Sequence, residues 1–181
     1  MSSEELLWHV DKDDNPIGSI TRDHAHKEKT ENGDFFIHRA VLIFLRDEDN
    51  NFLLQKRAAN KQQYPNHWTV SASGHVTYPE TYTQAARREI SEEIGLSESD
   101  YYFDQKYQEL VETPDEVQYV YSFTGKINSE DSLSINKGEV AELRKFSFVQ
   151  FVKLFREEEF TAASKSFLTR FLAETYFLDN E

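Results

Sequence analysis

Glu89, Glu92 and Glu93 stand at i, i+3 and i+4, a spacing that gathers three carboxylates on one face of a helix. Like charges placed this way repel, at about 0.2–0.5 kcal/mol for an i,i+4 pair. A hard divalent cation reverses that penalty, because carboxylate oxygens suit Mg²⁺ or Mn²⁺, ions that keep waters and take phosphate oxygens as further ligands. Such an ion polarises phosphorus and lowers the pKa of a water it holds, making a nucleophile. Gly74 opens the preceding loop, Gly74-His75-Val76-Thr77-Tyr78-Pro79-Glu80, and a residue without Cβ lets backbone approach metal or ligand closely. Arg88 is placed to orient the carboxylates by a bidentate contact, with Glu80 as its candidate partner. The competing reading is a solvated acidic helix face, the ordinary fate of a Glu-rich helix.

The full spacing decides between the two. Gly74, then Glu80 after five residues, then Arg88-Glu89-Ile90-Ser91-Glu92-Glu93-Ile94-Gly95-Leu96 after seven more, matches every specified position of the Nudix box. With average residue usage these positions coincide by chance on the order of once in ten million chains, and the glutamate surplus here raises that to about one in a million. The segment from Gly74 to Leu96 therefore resembles the Nudix hydrolases. The resemblance implies an α/β fold, an α/β/α sandwich around a mixed β-sheet with the box as loop–helix–loop. It also implies metal-dependent cleavage of a phosphoanhydride bond in a nucleoside diphosphate-linked or related diphosphate. By family role Glu89, Glu92 and Glu93 would bind Mg²⁺ or Mn²⁺, with the Gly74 carbonyl a further ligand. One carboxylate, in the box or in a loop such as Glu112 to Glu116, would act as base.

A looser resemblance spans Trp8 to Tyr176. His38-Arg39-Ala40, Leu53-Leu54-Gln55-Lys56-Arg57-Ala58, Lys61, Tyr64-Pro65, Trp68-Thr69 and Ser73-Gly74-His75 are similar to the type I isopentenyl diphosphate isomerases of the same superfamily. Those enzymes use a catalytic cysteine before the Gly-His, a partner glutamate on a later strand and a histidine-rich metal site. Here Ser73 stands in the cysteine's place, Val76 replaces the usual proline, and the later glutamate maps to Gln118. Serine is a poor proton donor to an alkene, so the expectation is hydrolase chemistry on an isomerase-like scaffold. An allylic isomerase and a non-catalytic ligand-sensing module are the alternatives. His38 and His75, with His24 or His26, match the isomerases' metal histidines in order, and either form a second metal site or hydrogen-bond along the cleft wall. Lys56, Arg57 and Lys61 are candidate contacts to substrate phosphates, the other reading being surface charge. Tyr64 and Trp68 could stack on a base, although aromatics beside a strand more often serve the core.

Positioning the box requires elements on both sides of it. Leu6–Val10 and Ile17–Thr21 read as an N-terminal strand pair across the turn Asp13-Asp14-Asn15-Pro16, and His24 to Asp34 reads as a polar loop. His38–Arg46, apolar almost throughout, predicts a central strand, and Phe52–Arg57 a strand forming a hairpin with it. Trp68–Ser71 predicts a short strand. Thr81–Ile94 predicts a helix with a Thr81/Gln84 capping box, an apolar ridge at Ala86, Ile90 and Ile94, and a stop at Gly95. Tyr101–Glu112, Val117–Ile127 and Leu143–Phe148 predict strands. Gln150–Glu157 and Ser164–Phe177 predict helices, the second with an apolar face at Phe167, Leu168, Phe171, Leu172 and Phe177. Alternation of this kind points to one layered domain over 1–181.

Composition narrows the functional classes. The 181 residues carry a net charge of −13 and no cluster of Lys and Arg, which argues against a nucleic-acid partner but not against a phosphate ligand bridged by metal. There is no cysteine, so disulfides, zinc thiolates and thiol nucleophiles are excluded. The longest apolar run, Ala40 to Leu45, is too short for a bilayer, and Met1-Ser2-Ser3-Glu4-Glu5 lacks a signal h-region. The expectation is a cytoplasmic enzyme with a small diphosphate substrate and no membrane partner, compatible with a homodimer.

Overall fold

The structure, a computed structural model, describes residues 4–177. Along the chain run β1 (Leu6–Val10), β2 (Pro16–Thr21), α1 (Arg22–Lys27), β3 (His38–Arg46), β4 (Phe52–Arg57), β5 (Trp68–Thr69) and β6 (Ala72–His75). Then follow α2 (Tyr82–Glu89), β7 (Tyr101–Glu112), β8 (Val117–Ile127), β9 (Val140–Phe146), α3 (Phe148–Glu157) and α4 (Ala162–Leu172).

β3 is the axis. Its apolar run lets both faces be buried, and strand alternation sends successive side chains to opposite sides. Val41, Ile43 and Leu45 pack with Ala85, Ala86, Ile90 and Ile94 on the α2 side. Ala40, Leu42 and Phe44 pack with Phe151, Phe167 and Phe171 on the α3/α4 side. The result is the expected α/β/α sandwich. β3 runs parallel to β8, from His38 beside Gln118 to Arg46 beside Lys126, and antiparallel to β6, with Val41 beside Gly74. The sheet is thus mixed. β1 joins it through His9 beside His38 and through a bridge from Leu7 to Thr77.

Several local expectations need correction. The segment after Thr21 is not all loop: Thr21 accepts from the His24 amide and caps α1. β3 and β4 share one pair, Arg46 with Phe52, after which β4 leaves to pair with β9 and β5. Two strands splay this way when each finds a longer partner than the other can offer. Gly74 lies in β6 rather than in a loop, because β3 supplies a backbone ladder there. The capping box at Thr81 and Gln84 is present, Ala86, Ile90 and Ile94 are fully buried, and Gly95 ends the helix at φ 73°. The last turn, Ile90–Ile94, is π-helical, however, so its residues are wound more widely than an α-helix would place them. α4 is followed by another π-helical turn at Ala173–Phe177. The apolar face expected there is buried at Phe167, Leu168, Phe171 and Leu172. The side chain of Phe177 lies outside the described residues, as do positions 1–3 and 178–181. Among the described residues no helix is long and apolar enough to cross a membrane.

Phe44 has no exposed surface and stacks on Phe52 at 5.0 Å between ring centroids. Phe44→Ala should cost about 3–5 kcal/mol of stability. A urea titration showing a loss under about 1 kcal/mol would contradict the central role given to β3.

Candidate functional site

Residues remote in sequence converge on one cavity of about 320 Å³. The box supplies Gly74, Glu89, Glu92 and Glu93 to its wall; Arg57 and Lys61 face them from the end of β4 and the loop after it. Strand pairing explains the first group. Holding β6 against β3 puts Gly74 beside α2, so close that a Cβ on Gly74 would overlap the Glu89 carboxylate. Any side chain at 74 would push the Glu89 carboxylate out of this position.

Glu93 is 4% exposed, and its Oε2 accepts from Gln55 Nε2 at 2.7 Å and from the Ser73 amide at 2.9 Å. Burial raises its pKa to about 7 against the pull of those donors and of Arg57 and Lys61. Glu89 is raised to about 8, by burial first and then by the charge of Glu93, with Arg88 opposing. Glu92 keeps 56% of its side chain exposed at the rim. Arg88 ties the group together. Its Nε and Nη2 donate to the two oxygens of Glu80 at 2.8 and 3.1 Å, the forked contact expected of it. Nη1 reaches Glu89 at 2.7 Å and Glu92 at 3.1 Å, and Nη2 also donates to the His75 carbonyl at 3.0 Å. Burial alone would weaken the guanidinium's hold on its proton, but Glu80 and Glu89 outweigh it and raise the pKa.

Two buried carboxylates with raised proton affinity, set together in a polar cavity, form a donor set that fits a hard divalent cation. A second group lies beside them. His26, His38, His75 and Glu116 each offer one ligand atom, all within 4.8 Å of one another. His26 Nδ1 is 3.1 Å and His38 Nε2 3.7 Å from Glu116 Oε2. Burial lowers His38 to about 4 and holds His75 well below the ordinary imidazole range, so both are neutral, the form that ligates metal. The buried Nε2 atoms of His26 and His75 have no hydrogen-bond partner. Three imidazoles gathered around one carboxylate, two of them with an unpartnered ring nitrogen, fit a metal better than a hydrogen-bonded cleft wall. For Glu116, burial would raise the pKa, yet His26 and His38 bring it below its ordinary value.

Of the residues singled out by sequence, His26 rather than His24 joins this cluster; His24 packs on Phe36, with ring centroids 4.6 Å apart. The cluster's carboxylate is Glu116, and Gln118 stands next to it, donating to Glu116 at 3.1 Å. Arg57 lines the cavity and donates to the Gln63 carbonyl at 3.3 and 3.2 Å, while Lys61 is ion-paired with Glu139. Lys56 does not line the cavity. Alternation along β4 turns it to the opposite face from Gln55 and Arg57, where its ammonium lies 5.7 Å from the Trp68 ring centroid. Trp68 is a core residue, 3% exposed, whereas Tyr64 lines the cavity. Sequence reasoning missed Arg22, which lines the cavity from the start of α1 and carried no motif signal. It also missed Gln55 as a partner of Glu93, although the two-residue spacing to Arg57 on a strand was a usable sign.

Comparison with known proteins follows the same lines. A family model described as NUDIX domain matches residues 36–171. The chain is 32% identical over 155 residues to a prenyl-diphosphate phosphatase from Methanosarcina mazei, covering 83% of this chain and 82% of that one. It is 42% identical over 93 residues to an isopentenyl-diphosphate Delta-isomerase from Photorhabdus laumondii, 51% of this chain and 49% of the relative; the match thus spans about half the isomerase's length. Among solved structures it is similar to DR0079 from Deinococcus radiodurans, at a TM-score of 0.69 and 21% identity over 92% of this chain and 98% of that one.

Raised carboxylate pKa values make stability fall as pH rises. Between the ordinary value of 4.5 and the folded values of about 7 and 8, the folded state binds more protons than the unfolded one. His38 and His75, held below the ordinary imidazole value, oppose this up to about pH 6.5. The metal-free protein should therefore lose melting temperature from about pH 6.5 to about pH 8, and excess Mg²⁺ should flatten the decline. A melting temperature that rises steadily over that window without metal would contradict the burial of Glu89 and Glu93.

Proposed function

The chain belongs to the NUDIX family, and from that premise we propose that it is a divalent-metal-dependent pyrophosphohydrolase of small organic diphosphates. The observation that carries this reading is the pairing of Glu93, which is buried, and Glu89, 12% exposed, with Arg57, Lys61 and Arg22 around one cavity. Acidic groups at one wall and cationic groups at another suit a ligand whose phosphates bridge a cation and a guanidinium. Mg²⁺ or Mn²⁺ held by Glu89, Glu92, Glu93 and the Gly74 carbonyl would supply Lewis acidity to the phosphoryl oxygens and to the attacking water.

The chain's own residues do the rest. Arg57 and Lys61 bind the phosphates, with Arg22 as a further cation, and Arg88 keeps the carboxylates in register. One carboxylate, in the box or in the loop from Glu112 to Glu116, takes the water's proton, while Glu93, 4% exposed and anchored by Gln55 and the Ser73 amide, is the innermost of the cation's ligands. Water adds to one phosphorus, the bridging P–O bond breaks, and the leaving phosphate carries away the bond's electron pair. His26, His38, His75 and Glu116 would hold a second divalent cation beside the first.

For the organic group, the likeness to a prenyl-diphosphate phosphatase over most of both chains supports an apolar moiety. Ala40, Leu42 and Ala163 line the cavity where it meets the core, and Trp68 is absent from that lining, which weakens a base-stacking role for it. The isomerase reading draws on the shared half-length match and on the histidine cluster, but Ser73 leaves it without the thiol.

A panel of prenyl diphosphates, nucleoside diphosphate derivatives and isopentenyl diphosphate, assayed for phosphate or nucleotide release with Mg²⁺, Mn²⁺ or chelator, tests the proposal. Metal-dependent release from the prenyl members is expected, and Glu93→Gln should lower turnover by roughly 10²-fold or more without loss of melting temperature. Full turnover in that variant would remove Glu93 from the cation site. Silence across the panel, with deuterium entering isopentenyl diphosphate from solvent, would replace hydrolysis by isomerisation.

A further inference from the structure

Gln55 is an amide in a place where an amide is a liability to the fold. Its side chain is 1% exposed, on β4, at a position paired with Leu143 of β9 and Thr69 of β5. Nε2 donates to Glu93 Oε2 at 2.7 Å, but its own Oε1 is buried with no hydrogen-bond donor. An unmet buried carbonyl is a loss that an apolar side chain of equal length would not incur. The amide's orientation is dictated by its neighbour, since a carboxylate only accepts and must face the NH₂.

The Ser73 amide donates to the same oxygen, Oε2, at 2.9 Å. Among the described residues no donor reaches Oε1 of Glu93. Resting on the metal-dependent reading above, we propose that Gln55 is a positioning residue: with the Ser73 N–H it anchors Oε2 of Glu93 and thereby presents Oε1 to the cation. A neutral donor is what this task requires. An arginine or lysine here would also hold the carboxylate, but it would add a buried charge to those of Arg57 and Lys61, which already act on Glu93. A serine or asparagine is shorter and would leave a gap. Gln55 thus relates to Glu93 as Arg88 relates to Glu89, one by a neutral contact from the sheet and the other by a charged contact from the helix.

The experiment compares wild type with Gln55→Met, which keeps length and removes the amide, and with Gln55→Asn, which keeps the amide and removes its reach. Mn²⁺ is titrated without substrate by electron paramagnetic resonance, with Glu93→Gln marking which class of bound ion belongs to the box. Gln55→Met should hold or raise the metal-free melting temperature. It should weaken the box ion and lower kcat by about 10- to 100-fold each, the range for outer-shell ligand partners, while KM for the diphosphate moves little. Gln55→Asn should match it in Mn²⁺ affinity. Unchanged Mn²⁺ affinity in Gln55→Met overturns the inference, as does a fall in melting temperature large enough to explain the lost activity. If wild type binds Mn²⁺ at the box yet cleaves nothing, the hydrolase reading falls while the titration still decides the role of Gln55. A wild type that binds no Mn²⁺ at the box overturns both.

Discussion

Holding Glu89 and Glu93 out of water beside one another is the constraint on which the rest of this structure turns. Glu93 is buried and Glu89 nearly so, burial raises the cost of ionising both, the charge of Glu93 raises that of Glu89 further, and neither is neutralised by a cation dedicated to it alone. Arrangements of this kind survive only if the surrounding structure is firmly determined. Here the apolar ridge of Ala86, Ile90 and Ile94 clamps the helix to β3, β6 fixes Gly74 against Glu89, and Arg88 shares one guanidinium among Glu80, Glu89 and Glu92. The π-helical turn at Ile90–Ile94 belongs to the same solution, with Glu93 buried against the sheet while Glu92 stays at the rim. π-turns of this kind often mark functional sites.

Two donor sets of different character meet at the cavity, the second reaching it through His75 and Glu116. The carboxylates of the box are hard oxygen donors whose charge is retained by giving Glu93 neutral partners, Gln55 and the Ser73 amide. The cluster of His26, His38 and His75 is made of imidazoles, at least two of them held neutral by burial, with a single carboxylate in Glu116. Donor softness separates the two: oxygen-rich sets favour Mg²⁺ or Mn²⁺, and imidazole-rich sets accept transition metals more widely. Gln118 sits between Glu116 and His38 as a neutral neighbour, so the second set carries one negative charge rather than two.

A chain with a net charge of −13 would repel a diphosphate at long range. The cavity offsets this locally with Arg22, Arg57 and Lys61, of which Lys61 is already engaged by Glu139 and Arg57 by the Gln63 carbonyl. These contacts hold two of the cations in place before a ligand arrives, which lowers the ordering cost of binding.

Much of this molecule is written locally. The box is a matter of residue types at fixed separations, the capping box at Thr81 and the stop at Gly95 are set within a few residues, and the near-continuous apolar run of His38–Arg46 dictates a strand buried on both faces. Those features, and the sandwich they imply, were legible because the forces that make them act between sequence neighbours or along one periodic face. Other features depend on which strand meets which. Lys56 and Arg57 are adjacent and chemically alike, yet only the pairing of β4 decides that Arg57 faces the cavity and Lys56 faces Trp68. His24 and His26 are equally good ligands by sequence; the short helix capped by Thr21 selects His26. The partnership of Gln55 with Glu93 crosses 38 residues, and Arg22 reaches the cavity with no motif to announce it. The sequence by itself determined the spacing of the box and, through the resemblance that spacing carries, the family and its fold class. Tertiary structure alone decided which of several equivalent side chains faces the cavity, because burial and facing direction arise from contacts between elements far apart along the chain.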